Sequence, residues 1–380
     1  MTRFLIIYEQ IDNTVEVNLS AIKSSFDDNG VVAKYRLSKK VSELDLNWCD
    51  VCYAIRPSSV YTLNIAKTLK DSGRFFITMF DDDLLNISKS SSMYWRIDYM
   101  KSCIALSDAL VASNPLLIES YKKIAPEIKY ILSNAYVLES EIQPVQEVGE
   151  MIKISYIAGR DHTELFETYI SPIIDRVLEK YPKIELHLMG IEPDLMRIKN
   201  RSKIVTHPVR SYEDYKVFMR SNHFDIGLAP LNDDDFSNKK YFRKYIDYAE
   251  FGILGLYSNC MPYILVVKDG YNGILVENKS VEWEKALTYS IDNISSMKEL
   301  VKNSQKHLRT DFSLESVKKH FWEELNPVIC KSHNKVEVHY NISLIEKMLF
   351  DNRARYHRLA SHYKTDGFIK TTMKLLKRLC

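Results

Sequence analysis

Two lysines and an aspartate in the second half of the chain have the types and spacing needed to hold a diphosphate compound. Lys240 and Lys244 are four residues apart and Asp247 lies three residues further on, so one face of a helix would carry all three. Ammonium groups at a helix N-terminus suit a diphosphate, because the helix dipole also favours anions there. A carboxylate one turn further along can accept hydrogen bonds from ribose hydroxyls. The pattern predicts a nucleotide-sugar site; the alternative is a solvated helix with i,i+4 charge pairs.

Three consecutive aspartates form a second candidate cluster. Asp81, Asp82 and Asp83 follow Arg74–Phe80, a segment rich in β-forming residues. Carboxylates at the end of a strand can hold Mg²⁺ or Mn²⁺, and they can also bind an acceptor substrate. A third interpretation is a helix N-cap with solvated charges. The residues alone leave all three interpretations open.

Composition and missing motifs exclude several classes of protein. The chain has 380 residues, of which 46% are hydrophobic and 27% charged, as is typical of a globular protein. No G-x-G-x-x-G follows the first strand, and neither G-x-x-x-x-G-K-[ST] nor G-x-S-x-G occurs. Dinucleotide oxidoreductases, P-loop enzymes and α/β-hydrolases are therefore disfavoured. A net charge of +2 gives no general field for nucleic acid.

The charge is concentrated at the C-terminal end. Residues 331–380 carry 11 Lys or Arg and 4 Asp or Glu, a net charge of +7, which leaves −5 for residues 1–330. Within 367–380, three lysines share one helical face beside three apolar residues: Lys370, Lys374 and Lys377, and Ile369, Met373 and Leu376. Such a helix is expected either to bind an anionic membrane surface or to pack on the body of the protein.

The sequence predicts a cytoplasmic protein, with a peripheral position on the inner face of the cell membrane if the tail binds lipid. The first ten residues contain no signal-peptide h-region, and no stretch approaches the ~18 apolar residues of a membrane span. Cys49 and Cys52 form a CxxC without a second pair, which we interpret as reduced cysteines on a strand.

Alternating helix and strand patterns predict two α/β domains with doubly wound parallel sheets. The acidic segment 138–151 contains Pro144 and Gly149 and has no apolar period, so we place the domain boundary there. The predicted domains are 1–140 and 151–330, followed by a basic helical extension, 331–380.

The segment 224–276 resembles the donor-binding signature of group 1 glycosyltransferases of the GT-B fold, in the branch that serves bacterial glycan biosynthesis. The matching residues are Asp225–Leu231, Phe236, Lys240, Lys244, Tyr248, Ala249, Gly252, Ser258, Pro262, Tyr263, Asp269, Gly270, Asn272, Gly273, Leu275 and Val276, with Glu282, Trp283, Ala286 and Leu287 beyond them. Asp247 stands where the family has a ribose-binding Glu, Lys239 where it has an earlier Glu, and Leu254 where it has Pro.

The resemblance implies two Rossmann-like domains facing across a cleft, with a C-terminal helical extension. It implies an N-terminal acceptor-side domain and a C-terminal domain that binds the nucleotide sugar. Asp247 and Tyr248 would bind the nucleotide, and Lys240 and Lys244 would neutralise the leaving diphosphate.

The loop Ile154–His162 resembles the strand and loop that open the family's donor domain. Gly159 would let phosphate approach there and Arg160 would bind it, unless Arg160 is an ordinary surface arginine. His162 would contact substrate or cap a helix. The resemblance also places Asp81 and Asp83 on the acceptor side.

These features predict a retaining glycosyltransferase without a cofactor or metal, acting on a glycan, lipid-linked or protein acceptor in surface polysaccharide or glycoconjugate synthesis. Two alternatives remain at this point. The departures at Asp247 and Lys239 suggest a catalytically silent binding subunit, and Asp81–Asp83 suggest a metal-dependent transferase of the GT-A type.

Overall fold

The chain folds into two units in this computed structural model. Unit 1 combines Met1–Ser133 with His320–Cys380, and unit 2 is Asn134–Lys319. The structure describes residues 2–10, 15, 31–89, 91–158, 162–191, 193–194, 197–330 and 335–376, and it describes side chains as far as residue 361.

Unit 1 contains a six-stranded sheet that is parallel throughout, in the order β2-β1-β3-β4-β5-β6. Its strands are β1 (Thr2–Tyr8), β2 (Val31–Leu37), β3 (Val51–Ile55), β4 (Phe75–Phe80), β5 (Ala109–Ala112) and β6 (Lys129–Leu132). Its helices before unit 2 are α1 (Glu43–Trp48), α2 (Val60–Asp71), α3 (Ile97–Ala105) and α4 (Pro115–Lys122).

Local sequence determines where these elements begin. Every residue of β3 and β4 is buried, as expected for strands covered on both faces. Ser59 caps α2 by accepting a hydrogen bond from Thr62 N. Asn114 caps α4, and Pro115 supplies a fixed φ for its first turn.

Unit 2 contains a second parallel sheet, in the order β12-β11-β10-β7-β8-β9. Its strands are β7 (Ile152–Ile157), β8 (Ile184–Met189), β9 (Ile204–His207), β10 (Ile226–Ala229), β11 (Leu254–Ser258) and β12 (Ile274–Val276). Its helices are α5 (Ser171–Lys180), α6 (Tyr212–Asn222), α7 (Arg243–Glu250), α8 (Ser280–Asp292) and α9 (Ile294–Asp311).

Two helices end the described chain. Helix α10 spans Leu314–Ile329, and α11 spans Leu344–Leu376. None of the helices in the described ranges is long and apolar enough to cross a membrane. The predicted basic helix at 367–380 coincides with the end of α11 as far as Leu376, while its side chains and residues 377–380 lie outside the described residues.

The second half of α10 belongs to unit 1, although the sequence pattern assigns it to the second domain. Phe321, Trp322, Leu325 and Val328 are buried in the core on one face of the first sheet. The ring of Trp322 meets Phe4 edge-on at 6.0 Å, and Phe321 meets Tyr53 at 6.5 Å. The apolar face of α10 therefore completes the N-terminal sheet.

The segment 138–151, where the sequence analysis places the domain boundary, packs within unit 2. Gln143 N donates a hydrogen bond to Glu250 O at 2.7 Å, and Lys216 pairs with Glu141 at 2.5 Å. The division between the units therefore falls earlier, between Ser133 and Asn134. The acidic composition of this segment suggested a domain boundary, but the carboxylate of Glu141 pairs with cations of α6 inside unit 2.

The placement of α10 makes a stability prediction. Leu325 has no exposed surface, so Leu325→Ala is expected to lower the free energy of unfolding by about 2–5 kcal/mol through lost contacts and the resulting cavity. Denaturant unfolding followed by tryptophan fluorescence measures the loss. The matched control is Asn326→Ala, at the next position of the same helix, which is exposed. Equal stabilities of the two variants would show that α10 does not hold the sheet.

Candidate functional site

The strand order of unit 2 reverses at β7. This strand pairs with β8 on one side and with β10 on the other, and all three run parallel. The loops that leave the carboxyl ends of β7 and β10 therefore diverge to opposite sides of the sheet. In open parallel sheets, ligands bind in the crevice at such a point. The segments carrying His162, Lys240 and Lys244 follow these two strands.

The loop after β10 is fixed by side-chain hydrogen bonds. Leu231 N donates to Ser258 Oγ at 2.8 Å, and Ser258 Oγ donates to Asn278 Oδ1 at 2.6 Å. Asn278 Nδ2 returns a hydrogen bond to Leu231 O at 2.8 Å. Ser258 is fully buried, so these bonds replace water and hold the loop against β11.

The three residues predicted to share a helical face are only partly brought together. Helix α7 begins at Arg243, so Lys244 and Asp247 lie on it, whereas Lys240 precedes it in extended conformation after the short 3₁₀ turn Ser237–Lys239. The Lys240 ammonium lies 5.3 Å from the centre of the Phe236 ring. A continuous helix from Lys240 to Asp247 is therefore wrong.

Lys244 is half-buried in the first turn of α7. Its ammonium lies 5.7 Å from the centre of the Tyr215 ring and 5.9 Å from that of Tyr248. Burial lowers its pKa, against the attraction of Asp247. A cation held by two aromatic faces keeps its charge available for an anion at the start of the helix.

Asp247 is buried, and both its carboxylate oxygens are engaged within unit 2. Arg243 Nε donates to Oδ1 at 2.7 Å, and the Tyr215 hydroxyl donates to Oδ2 at 3.1 Å. Arg243 also donates to the hydroxyl of Tyr212 at 2.5 Å. Each oxygen can still accept a further hydrogen bond, but Asp247 is only 3% exposed, which leaves little room for a ribose hydroxyl to reach it.

Glu250 lies one turn further along α7 and is 1% exposed. Lys216 and Arg243 lie 3.4 Å and 3.9 Å from its oxygens, and within the described ranges Oε1 has no hydrogen-bond partner. Burial raises the pKa of Glu250 to about 7, although Lys216 and Arg243 oppose that shift.

Tyr248 does not offer its side chain to a ligand. It is fully buried, and its hydroxyl donates to Leu228 O at 2.9 Å. A Cβ at Gly227 would lie 2.5 Å from the Tyr248 ring, so this glycine leaves room for the tyrosine against β10. The predicted nucleotide contact through this side chain is replaced by a packing role.

The loop after β7 is described only in part. Gly159 and Arg160 lie outside the described residues. His162 occupies the N-cap position of a short helical turn, Thr163–Leu165, but its side chain makes no capping hydrogen bond. Its carbonyl accepts a hydrogen bond from the Tyr156 hydroxyl at 2.9 Å, which ties this loop to β7.

In unit 1, Arg56 forms ion pairs with two residues of the aspartate cluster. It follows β3 with a φ of 47°, a left-handed conformation that is uncommon for a residue other than glycine. Its Nε donates to Asp81 at 2.5 Å and its Nη2 to Asp82 at 2.8 Å. Burial raises the pKa of Asp81 to about 6, against the attraction of Arg56.

Asp83, the third aspartate of the cluster, is 1% exposed. Its Oδ2 accepts a hydrogen bond from Asn86 Nδ2 at 2.7 Å. In the part of the chain that the structure describes, no group of three or more His, Cys, Asp or Glu side chains is arranged to hold a metal ion. The three aspartates thus divide into an arginine-bound pair and a buried third member.

Sequence reasoning overlooked Arg243, Tyr215 and Arg56. The i,i+4 spacing of Arg243 and Asp247 could have revealed their ion pair. Tyr215 and Arg56 come from other elements, and no local spacing links them to the aspartates they contact.

Solved structures share this arrangement at low sequence identity. HepE of Anabaena, in complex with UDP and glucose, has a TM-score of 0.61 and 12% identity, covering 86% of this chain and 100% of its own. Sucrose-phosphate synthase from Thermosynechococcus elongatus has a TM-score of 0.61 and 12% identity, covering 87% and 100%. The lipopolysaccharide outer core galactosyltransferase WaaB has a TM-score of 0.52 and 14% identity, covering 86% and 99%. No protein-family model and no curated protein sequence matches the chain.

The chain has the GT-B fold. The prediction of two Rossmann-like, doubly wound domains with C-terminal helices is confirmed by the two parallel sheets and by these structural neighbours. The alternative of a GT-A architecture around Asp81–Asp83 is wrong.

The raised pKa of Glu250 makes stability depend on pH. An unfolded glutamate has a pKa of about 4.3. Between that value and about 7 the folded protein binds more protons at Glu250 than the unfolded chain, so this group lowers stability as pH rises. Glu250→Gln is therefore expected to gain stability relative to wild type from pH 5 to pH 8, as measured by urea unfolding.

The control is Glu284→Gln on α8, outside this charge cluster. A hydrogen bond from Arg176 holds the pKa of Glu284 below its ordinary value, so its titration lies below that of an unfolded glutamate. Its stability difference from wild type is expected to stay constant between pH 5 and pH 8. A constant difference for Glu250→Gln as well would contradict the assignment.

Proposed function

We propose that this chain is a glycosyltransferase that moves a sugar from a nucleotide-sugar donor to a glycan, lipid-linked or protein acceptor. The observation that carries the proposal is the reversal of the strand order of unit 2 between β7 and β10, because the segment that carries Lys240 and Lys244 follows β10. The donor-signature residues of 224–276 belong to the same part of this unit. Among the structural neighbours, HepE was solved with UDP and with UDP-glucose.

Charge stabilisation at the leaving group is the main catalytic contribution in this proposal. Lys240, Lys244 and Arg160 neutralise the diphosphate as its bond to the sugar breaks, which lowers the barrier because negative charge develops on the leaving group in the transition state. Gly159 lets the phosphates approach the backbone. We assign this neutralisation to the side chains rather than to a divalent metal. The family resemblance favours retention of anomeric configuration through front-side attack.

The acceptor is assigned to unit 1. Asp81 is the candidate contact, because the raised pKa of its carboxyl group suits exchange of a proton with an acceptor hydroxyl. Asp83 supports the loop through Asn86 instead of binding substrate itself. His162, in unit 2, stays a candidate on the donor side of the same reaction. Surface polysaccharide or glycoconjugate synthesis in bacteria is the process that the resemblance favours.

The membrane assignment rests on charge. The segment 367–380 has a net side-chain charge of +4 from Lys370, Lys374, Lys377 and Arg378, and it contains no Asp or Glu. An anionic inner membrane surface is its proposed partner, which would place a cytoplasmic enzyme beside lipid-linked acceptors.

A second candidate function is a catalytically silent glycosyltransferase-like subunit. The internal pairing of Asp247 favours it, because the carboxylate that the resemblance assigns to ribose already has two partners. Such a subunit would bind its partners without binding nucleotide.

Separate variants of the Arg243–Asp247 pair distinguish these two functions. Asp247→Asn removes a charged acceptor and is expected to weaken UDP binding by about 10–150-fold, the range for hydrogen bonds to charged groups. Arg243→Gln breaks the same ion pair but keeps the carboxylate, so UDP affinity is expected to be unchanged or higher. Isothermal titration measures both, with melting temperatures as a check on folding. Absence of UDP binding by the wild type would favour the silent subunit, and equal losses in both variants would show that Asp247 acts through its ion pair with Arg243 and not by binding ribose.

The lysines are expected to act on turnover more than on donor binding. The leaving diphosphate gains charge in the transition state, so Lys240→Ala and Lys244→Ala should lower kcat by a larger factor than they raise the Kd for the donor. Steady-state hydrolysis of UDP-sugars, with GDP-, ADP- and CMP-sugars in parallel, measures kcat. The matched control is Lys285→Ala on the exposed face of α8. Equal effects on the binding of phosphate-free nucleosides would contradict the role.

A further inference from the structure

A groove of about 620 Å³ lies in unit 1, between the segment 89–101 and helix α11. Six of its lining residues determine its character: Lys89, Trp95, Lys101, Arg353, Tyr356 and His357. The groove belongs to a different unit from the proposed donor site. Its volume lies within the usual range for small-ligand sites, about 300–1,000 Å³.

The charges of the groove are strongly unequal. Lys89, Lys101 and Arg353 contribute three cations, and Asp98 is the one carboxylate among its described lining residues. Across the described part of the chain, no carboxylate lies within ion-pairing distance, 4.0 Å, of these three cations. Unpaired cations that surround one concave space attract an anion.

An aromatic platform holds two of the basic side chains. The imidazole of His357 stacks on Trp95 with ring centres 5.4 Å apart and planes at 11°, and the Arg353 guanidinium lies 5.0 Å from the centre of the same indole. Trp95 is 8% exposed and packs on Phe350 at 5.0 Å, so the platform is anchored to α11. The pKa of His357 is lowered, by burial first and then by Arg353 and Arg96.

We propose that this groove binds an organic phosphate monoester. A guanidinium fork and two ammonium groups match a dianion with three terminal oxygens better than a single carboxylate. The lining hydroxyls of Ser91 and Ser92 add hydrogen-bond donors. Space remains for the organic part of the ligand, which Tyr94 and Tyr356 meet with exposed aromatic rings.

This site goes beyond the proposed glycosyl transfer. A sugar phosphate and a lipid phosphate headgroup present the same dianion, and their organic parts differ. Ile345, Met348 and Leu349 are exposed apolar residues of the same helix, α11, between its N-terminus and Arg353. An alkyl phosphate could use them, whereas a sugar phosphate could not.

Isothermal titration of the full chain with inorganic phosphate, glucose 1-phosphate and hexyl phosphate tests the site. At least one of the two esters is expected to bind more tightly than inorganic phosphate. Arg353→Gln and, independently, Lys101→Gln on α3 should each weaken that ester by about tenfold or more, as for hydrogen bonds to charged groups. Arg355→Gln is the matched control, because Arg355 is exposed on the same helix and does not line the groove.

Vesicles of phosphatidylcholine with phosphatidic acid separate the lipid source from the soluble one. A lipid phosphate in the groove is supported if Arg353→Gln reduces co-sedimentation with these vesicles while Arg355→Gln leaves it unchanged. The same difference between the two variants is expected in a chain that lacks residues 367–380. Ester binding with the same variant pattern but no co-sedimentation supports a soluble sugar or alkyl phosphate.

Two results would overturn the proposal. One is the absence of binding to both esters and to the vesicles. The other is an equal loss of binding in Arg353→Gln and Arg355→Gln, which would indicate general attraction to a basic helix. Neither measurement uses a nucleotide sugar, so failure here leaves the proposed donor site untouched, and failure to bind UDP leaves the groove untouched.

Discussion

Both sheets of this protein are parallel throughout, and this constraint determines where polar residues can gather. Each strand must be left at its carboxyl end, so the loops that begin there emerge at one edge of the sheet. In unit 1 these loops bring Arg56, after β3, to Asp81 and Asp82, after β4. In unit 2 the same geometry gathers the loops after β7 and β10. Strand direction therefore determines at which edge of each sheet the polar loop residues lie.

Unit 2 also contains a cluster of charged side chains that includes Asp247 of the candidate site. Arg243, Asp247 and Glu250 of α7 meet Lys216 of α6, and Glu141 joins them from the segment before β7. Removing such groups from water is costly, and their mutual attraction offsets that cost only when hydrogen bonds are well formed. Both oxygens of Asp247 are hydrogen-bonded, whereas Oε1 of Glu250 has no hydrogen-bond partner among the described residues, and burial raises the pKa of Glu250. These ion pairs connect α7 to α6 and to Glu141, and Glu250 is the carboxylate of the cluster whose raised pKa makes it easy to protonate.

Much of the fold followed from the sequence because α/β alternation is a local property. The strands around Val51–Ile55 and Ile226–Ala229 are short apolar runs with clear ends, and the 224–276 signature pointed to the loop after β10. The start of α7 could not be read in the same way, because i,i+4 spacing does not show that Ser237–Lys239 form a separate turn.

Contacts between distant elements were least accessible to prediction. No residue close to Arg56 in the sequence indicates that it pairs with Asp81 and Asp82. The apolar face of α10 predicts that this helix is buried, but it does not show which sheet the helix covers. Tyr248 matched the signature by position, yet its burial against Gly227 is a property of two elements packed together. The resemblance therefore indicated a region more reliably than it indicated individual contacts.

The path of the chain through unit 1 has a consequence for biosynthesis. Unit 2 is a continuous segment, Asn134–Lys319, whereas unit 1 needs both Met1–Ser133 and residues from His320 onward. During translation, all of unit 2 leaves the ribosome before Phe321 and Trp322 are available to cover Phe4 and Tyr53. We expect the central part of the nascent chain to reach its native state first. The N-terminal sheet, although it is synthesised earliest, would be the last to mature.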